Sequence, residues 1–470
     1  MTVILAALTM LAAGCGDDTA KDNPGTRATI TPARFGIQDL HYCFWDLPSY
    51  IYQCSTTGEA LDIFGNLDDL RVQYIRYAVF WSLTERAPGV FDWSRHDDLI
   101  PYLAGKGMTV VLDFQGGNDI YDGIAEYEAA PYPGHPTSGY YDKWLAFIEA
   151  TVTRYKGDVS HYEICNEPDL FNETGTEGQY WKPVPNAIHF SNLANGTADK
   201  IKSLQPAATV ISGGVSVFNG YRAFLHGCFE NGMLDHVDAV GLHPYRLTPE
   251  GGFDIDPDPS EQPTIEEEIS SLKTFIATYK TGGAPVWNTE SCYINTSYPD
   301  DTPRAQARFV SRSVLANHAS GMEANMHFRL RFDTVVDPMF QGLIHVSPFE
   351  KRPAYTAYRN ISLHLADVSV SYVKSVRKTV GADVYRLEYY STAEKSMIAY
   401  WKVVPVTNDP FAIGTVDIEI EDIEPKSVSV VDIMDDDTDP LPGSFAETGT
   451  GVHFFALPVT DYPLLLIAEK

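Results

Sequence analysis

The sequence lacks long apolar runs and is poor in basic residues, and both absences exclude classes of protein. None of its apolar segments reaches the roughly 20 residues that a transmembrane helix needs. Lysine and arginine together number 34 against 63 acidic residues, which gives a net charge of −29 at pH 7. Such a charge repels nucleic acid and anionic lipid headgroups, so we expect neither as a direct partner.

Cysteine is also scarce, with six in the chain, one of them Cys15 near its start. The remainder is an odd number, which excludes a fully paired disulfide framework. Cys43 and Cys54 lie close together in the sequence and could pair in an oxidising compartment. Cys165 stands inside an apolar segment, as a small buried residue would. No cysteines and histidines have the spacing of zinc ligands, and no metal or organic cofactor is predicted.

The main body of the chain has a repeating pattern and enough apolar residues, 44% of the total, for a large core. Between residues 34 and 367, short strand-like runs alternate eight times with helix-like segments. The strand-like runs are 34–38, 72–78, 108–114, 159–166, 209–213, 237–243, 285–290 and 323–328, and the helix-like segments include 141–155, 186–204, 262–280 and 303–319. The alternation predicts a (β/α)₈ barrel of the α/β class rather than a doubly wound sheet.

The pattern changes after residue 367 to short runs with period-two character. These runs are 368–373, 382–390, 397–404, 414–421, 426–433, 451–455 and 462–468. They predict an antiparallel β-sandwich domain at residues 367–470, packed on a barrel at residues 31–366. The acidic stretch 435–439 could suggest calcium, but it lacks the glycine and closing glutamate of a helix-loop-helix site. A solvated hairpin tip is the favoured interpretation.

The first residues resemble a bacterial export signal. An apolar segment at 3–13 leads into Leu11-Ala12-Ala13-Gly14-Cys15, which looks like a lipobox, although the basic residues that usually precede such a segment are absent. Residues 1–15 are therefore predicted to be a lipoprotein signal with lipidation at Cys15, and 16–30 a flexible tether. We expect an exported bacterial lipoprotein, anchored at the cell surface or in the periplasm by its lipid alone, or a secreted protein.

Two short segments carry the candidate chemistry. One is His161–Pro168, with the sequence HYEICNEP, and the other ends at Glu290 in PVWNTE. Each is typical of a β-strand that delivers a glutamate at its C-terminal end, where a parallel barrel gathers its reactive side chains. Two facing carboxylates are what hydrolysis of a glycosidic bond needs. The alternative is that both glutamates are ordinary exposed loop acids, as most glutamates are.

The Asn166-Glu167-Pro168 tripeptide resembles the glycoside hydrolases of clan GH-A, and the predicted C-terminal sandwich is similar to those of family 39 and related families in this clan. The resemblance implies that Glu167 is the general acid/base and Glu290 the nucleophile of a retaining, double-displacement hydrolase acting on an oligo- or polysaccharide. It also implies that Arg76 keeps the nucleophile ionised. Asn166 has an amide suited to holding a sugar hydroxyl.

Further candidate residues come from strand six and from loop aromatics. In family-39-like enzymes a histidine and a tyrosine at the place of His243 and Tyr245 line the floor and hydrogen-bond the nucleophile or the sugar. Tyr245 could equally be a packing aromatic. Four aromatics in or next to predicted loops at the same face could stack on sugars, or could be partly buried packing residues. They are Trp81, Trp181, Tyr293 and Phe328.

Two rival functions fit the same sequence. One is a surface carbohydrate-binding protein whose barrel has lost turnover, since fold does not fix function. The other is a transglycosylase that runs the same first step and passes the sugar to an acceptor. The presence of both carboxylates favours hydrolysis over the binding protein.

Overall fold

The computed structural model describes most of the chain from residue 35 onward. The described residues are 35–38, 65–122, 140–171, 178, 180–217, 220–246, 248–252, 263–292, 303–332, 342–346, 349–366, 371–380, 383–404, 412–421, 426–434, 438–440, 445–447 and 451–469. The predicted signal and tether with Cys15 lie outside these ranges, as do Cys43, Cys54 and Tyr293.

Eight parallel strands form a closed barrel. They are β1 Phe35–Gln38, β2 Tyr74–Phe80, β3 Thr109–Gln115, β4 His161–Ile164, β5 Thr209–Ile211, β6 Val240–His243, β7 Val286–Ser291 and β8 Asn325–Phe328. Neighbouring strands pair from β1 to β5 and from β6 to β8, and β1 also pairs with β8. A bridge from Ile211 to Ala239, together with the pairing of Val215–Ser216 with the end of β6, joins β5 to β6. The predicted barrel is thereby confirmed.

Helices follow the strands around the outside of the barrel. They are α1 Ser94–Gly105, α2 Tyr141–Tyr155, α3 Ala187–Leu204, α4 Tyr221–Glu230, α5 Ile265–Ala277, α6 Pro303–Ala319 and α7 Pro353–Leu365, with helical residues 65–69 after β1 and short turns at Trp81–Thr84, Asp119–Asp122 and Met233–His236. Small additional strands are Glu85–Ala87, Val90–Phe91, Arg331–Phe332, Ile344–Val346 and Phe349–Lys351. Among the described helices, none combines the length and the apolar content needed to span a bilayer.

Local signals explain where the predicted helices begin. Helix α6 starts at Pro303 as predicted, because proline has the right φ and needs no partner for its missing N–H there. Helix α5 starts later than predicted, at Ile265. Thr264 forms a capping box with Glu267 and fixes the first turn, so Pro263 precedes the helix.

The apolar floor of the barrel interior places the site above it. One buried cluster takes side chains from six strands or their immediate approaches. Its members are Tyr74, Val111, Ile211, Ala239, Trp287, Ala324 and Met326. Because side chains alternate along a strand, the residues two positions further on also face inward, one layer nearer the C-terminal mouth.

The C-terminal strands form two antiparallel sheets. They are β9 Ser371–Val380, β10 Asp383–Ser391, β11 Lys395–Lys402, β12 Ala412–Glu421, β13 Ser427–Asp432, β14 Thr438–Pro440, β15 Phe445–Glu447, β16 Gly451–Thr460 and β17 Leu464–Glu469. One sheet has the order β9-β10-β11-β17-β13-β14 and the other β12-β16-β15. The predicted sandwich is confirmed, but β14 and β15 were missed. Antiparallel pairing of β13 with β14 agrees with a hairpin, whose residues 435–437 lie outside the described ranges.

Buried ion pairs join the sandwich to the barrel. Arg312 on α6 holds both carboxylate oxygens of Glu250, each at 2.7 Å, and the indole of Trp401 on β11 donates to the same carboxylate at 2.9 Å. One turn earlier, Arg308 contacts Asp461 at 3.0 Å. We call these five residues the interdomain cluster. All of them are buried, so the sandwich strands complete a part of the barrel's own packing.

Candidate active site

A layer of buried polar side chains lies directly above the apolar floor. Arg76 follows Tyr74 by two positions, Asp113 follows Val111, and Thr289 follows Trp287. Glu163 joins them from β4. Arg76 contacts Glu163 at 2.5 Å and Asp113 at 2.8 Å, and Thr289 donates to Glu163 at 2.7 Å. Charged groups are tolerated at this depth because each is paired with an opposite charge or a hydrogen-bond donor.

Glu290 stands at the top of this layer, held by two donors. The pairing of β7 with β8 shifts register between Asn288 and Ser291, which allows successive side chains to face the interior. A guanidinium nitrogen of Arg76 donates to Oε2 of Glu290 at 3.0 Å, and the hydroxyl of Tyr245 donates to Oε1 at 2.6 Å. A cation and a phenol therefore hold the two oxygens of this carboxylate in place.

Glu167 reaches the same mouth through an irregular turn after β4. Cys165 has φ +71° and Glu167 has φ +38°, both in the left-handed region that non-glycine residues rarely adopt. Between them Asn166 bridges to Gly214, and the backbone N–H of Glu167 donates to the carbonyl of Gly214 at 3.0 Å. The turn brings both Asn166 and Glu167 to the site, and such local strain is typical of functional positions.

The surroundings of Glu167 favour its protonated form. Burial raises the pKa of Glu167 to about 7, a nearby Glu163 acts in the same direction, and the Arg76 charge opposes both. Nδ1 of His243 lies 2.9 Å from Oε1 of Glu167. Burial lowers the pKa of His243 to about 4, so the imidazole is neutral at pH 5 to 7 and does not add a second cation.

Gly214 packs directly against the His243 ring. A Cβ at this position would stand 2.1 Å from Nε2 of His243 and 2.8 Å from the hydroxyl oxygen of Thr289. No side chain fits there without moving one of these groups. The absence of a side chain at Gly214 therefore sets how closely His243 approaches Glu167.

Glu167, Glu290 and His243 also form a set of possible metal ligands. One ligand atom from each lies within 4.8 Å of the others. However, Arg76 and Tyr245 already occupy the oxygens of Glu290, and a bound dication would stand beside a guanidinium. The donor set fits acid–base chemistry better than metal binding, because a cation would have to displace existing hydrogen bonds.

Five predicted site residues thus meet at one place, namely Arg76, Asn166, Glu167, Tyr245 and Glu290. His243 joins them with a difference. The resemblance implied contact with the nucleophile or the sugar, whereas the structure places its ring against Glu167. Asn166 accepts a hydrogen bond from Arg76 at 3.0 Å, so its amide is oriented by the same guanidinium that holds Glu290.

The structure corrects the prediction for two aromatics. Trp81 and Trp181 have no exposed surface, so neither ring offers a face to a sugar. Trp81 stacks on Tyr121 and donates to Glu85 at 2.6 Å. Both tryptophans are therefore packing residues, the alternative that the sequence had left open. Phe328 ends β8 and is half-buried beside Arg329, so its predicted role in substrate contact stays a prediction.

Sequence reasoning missed Asp113, Glu163 and Thr289. A signal was available for the two acids, because each interrupts an apolar strand that the barrel buries on both faces. A charge in such a strand needs a buried partner. Thr289 carried no such signal, since threonine is common in strands.

The comparison with known families agrees with this site. The sequence model described as "Cellulase (glycosyl hydrolase family 5)" matches residues 45–320, more than half of the chain. The chain belongs to this family. It is therefore a glycosidase of clan GH-A. No curated protein sequence matches the sequence of this family 5 glycosidase.

Solved structures resemble this family 5 glycosidase over both the barrel and the sandwich. A family 39 glycoside hydrolase from Bacteroides cellulosilyticus WH2 is 18% identical with a TM-score of 0.68, covering 94% of this chain and 81% of that one. A GH30 endoxylanase from Clostridium papyrosolvens C71 is 13% identical (TM-score 0.60, coverage 94% and 98%). A monomeric beta-xylosidase from Caulobacter crescentus CB15 is 15% identical (TM-score 0.59, coverage 95% and 98%). At these identities the likeness concerns the fold.

Proposed function

We propose that this glycosidase cleaves O-glycosidic bonds with retention, using Glu290 as nucleophile and Glu167 as general acid/base. The supporting observation is the contrast between the two glutamates. Glu290 is held by a cation and a phenol, whereas Glu167 is buried beside a neutral imidazole. Two neighbouring carboxyl groups held by such different partners can divide the roles of nucleophile and acid.

In the first step, Glu290 attacks the anomeric carbon while Glu167 gives its proton to the departing oxygen. One glycosidic C–O bond breaks, and an ester bond between the sugar and Glu290 forms. In the second step, the ionised Glu167 takes a proton from water, whose oxygen displaces Glu290 from the same carbon. With its oxygen held by Arg76, Asn166 has its NH₂ group left to donate to a sugar hydroxyl.

The spacing supports retention. One carboxylate oxygen of Glu167 lies within 4.8 Å of one carboxylate oxygen of Glu290. Retaining enzymes hold the two carboxyl groups about 5 to 5.5 Å apart, while inverting ones need about 6.5 to 9.5 Å for an intervening water. Such a close oxygen–oxygen approach favours the shorter, retaining separation.

Within clan GH-A, we assign the chain a family-39-like architecture, supported by the likeness to the Bacteroides enzyme across 94% of the chain, sandwich included. Similar structures include a beta-xylosidase, an endoxylanase and a glucosidase.

A panel of aryl xylosides, aryl glucosides and xylan-type polysaccharides tests the proposal that the enzyme cleaves with retention, and NMR identifies the anomer that forms first. Retained anomer supports it, and inverted anomer contradicts it. Binding without turnover would indicate a carbohydrate-binding protein, and transfer to added sugars a transglycosylase.

The acid role of Glu167 predicts a pH limit. Because the pKa of Glu167 is raised to about 7, its proton is present below pH 7 and is lost above it. For substrates with poor leaving groups, kcat/KM should fall about tenfold per pH unit above pH 7. Aryl glycosides with acidic leaving groups need no proton and serve as the internal control. The same alkaline decline for both substrate types would contradict this assignment.

The export proposal rests on the lipobox-like residues before Cys15. We expect the mature protein to begin at Cys15 and to fractionate with membranes through acyl chains. Cys15→Ser should move it to the soluble fraction with unchanged glycosidase activity. Cell fractionation and mass spectrometry of the N-terminus decide the matter. An unmodified chain that retains Met1 in the cytoplasm would contradict the proposal.

A further inference from the structure

We propose that Glu163 is a positioning residue for the reaction, because it holds the guanidinium of Arg76 and ties the strand of the nucleophile to that of the acid/base. This inference rests on the roles proposed above for Glu167 and Glu290. Glu163 is fully buried in β4, three residues before Asn166. Because its side chain is not exposed, it cannot contact the substrate directly and acts through its neighbours.

The first link is the orientation of the guanidinium. Nε of Arg76 donates to Glu163 at 2.5 Å. The two terminal nitrogens are then left for Glu290 at 3.0 Å and for Asp113 and Asn166 at 2.8 Å and 3.0 Å. A planar guanidinium has its donors in a fixed fork, so holding Nε also fixes the direction of the others.

The second link runs through Thr289. Its hydroxyl donates to the other oxygen of Glu163 at 2.7 Å, and Thr289 directly precedes Glu290 in β7. One carboxylate therefore spans from β4, which leads to Glu167, to the backbone that carries Glu290. Reacting groups must be held to within fractions of an ångström, and a displacement of about 1 Å can lower the rate 100-fold.

The third link is electrostatic. The charged and titratable groups that interact with Glu167 are Arg76, Glu163, Asp169, His243, Tyr245 and Glu290. Glu163 adds a buried negative charge and so disfavours ionisation of Glu167. Neutralising Glu163 removes that repulsion and leaves more of the Arg76 charge to stabilise ionised Glu167. Both changes favour release of the proton at lower pH.

Glu163→Gln tests the inference, since glutamine can accept from Arg76 and donate to Thr289 but carries no charge. We expect kcat to fall by roughly 10- to 100-fold with KM nearly unchanged. The alkaline decline of kcat/KM should move down by about one pH unit. Thr289→Val keeps every charge and breaks only the second link, so it should lower kcat without moving the alkaline decline. This second variant decides the matter if Glu163→Gln does not fold.

Glu388→Gln is the matched control. Glu388 is a fully buried glutamate in the sandwich that accepts from Nε of Arg386 at 2.5 Å, the same arrangement as Glu163 with Arg76. The Glu388→Gln variant should have a lower melting temperature than the wild type, with unchanged kcat and an unchanged pH profile. A folded Glu163→Gln with wild-type kcat and pH profile would overturn the inference. Wild-type protein without glycosidase activity would instead overturn the proposed function.

Discussion

Glu290→Ala is expected to abolish turnover of every glycoside, because no glycosyl-enzyme can form without the attacking carboxylate. The expected loss in kcat is roughly 10⁴- to 10⁶-fold, the range seen when a member of a catalytic unit is removed. The fold should survive, since Asp113 and Glu163 still neutralise Arg76. Steady-state kinetics on activated aryl glycosides measures the effect, with Glu290→Gln as the variant that preserves shape.

Adding azide to the Glu290→Ala variant tests specifically whether Glu290 is the nucleophile. In Glu290→Ala the small cavity beside Arg76 and Tyr245 can admit an anion, which attacks the anomeric carbon from the vacated side. The glycosyl azide should have the inverted anomeric configuration, as NMR of the product would show. An azide product with retained configuration would assign Glu290 a different role.

Glu167→Ala should have a different signature from loss of the nucleophile. Hydrolysis of natural sugars should slow by about 10²- to 10⁴-fold, the usual contribution of general acid–base catalysis. Formation of the glycosyl-enzyme from aryl glycosides with acidic leaving groups should be spared. Its hydrolysis should then limit turnover, so stopped-flow assays should show a burst of released phenol.

Azide again separates the alternatives for Glu167→Ala. It needs no general base, so it should restore the second step and give a glycosyl azide that keeps the configuration of the substrate. If the two variants show the reverse pattern, the roles of Glu167 and Glu290 must be exchanged. If both variants keep full activity, these carboxylates are not the catalytic pair.

The strand-end residues of the site could be predicted from the sequence because their signals are local. Pro168 ends a strand and Glu290 closes an apolar run, so each glutamate could be placed at the barrel mouth from its own neighbours. Arg76 and Tyr245 were predicted from the resemblance to clan GH-A, which places them at the ends of the second and sixth strands, whereas in the structure Arg76 lies inside β2. The eight strands of the barrel lie within three residues of their predicted bounds because buried parallel strands have dense, short apolar signals.

Contacts between distant strands could not be predicted in the same way. Glu163 and Thr289 are 126 positions apart, and nothing in either segment indicates which residue of the other strand it meets. The sequence also does not indicate whether an aromatic side chain in a loop faces the barrel mouth or the core. Trp81 next to a strand end is compatible with a sugar platform or with core packing, and only the surrounding helices and loops decide. The three-residue strands β14 and β15 form because longer strands beside them supply the pairing.

The interdomain cluster has a consequence for how genes of this kind can recombine. A domain on a flexible linker can be exchanged without touching its neighbour. Here, a crossover that replaced the sandwich strands would strip Asp461 from Arg308 and the Trp401 indole from Glu250. Removing one partner of a buried ion pair costs roughly 3 to 5 kcal/mol, a large part of the stability of any domain. The two halves are therefore expected to be inherited and engineered together, as one unit of exchange.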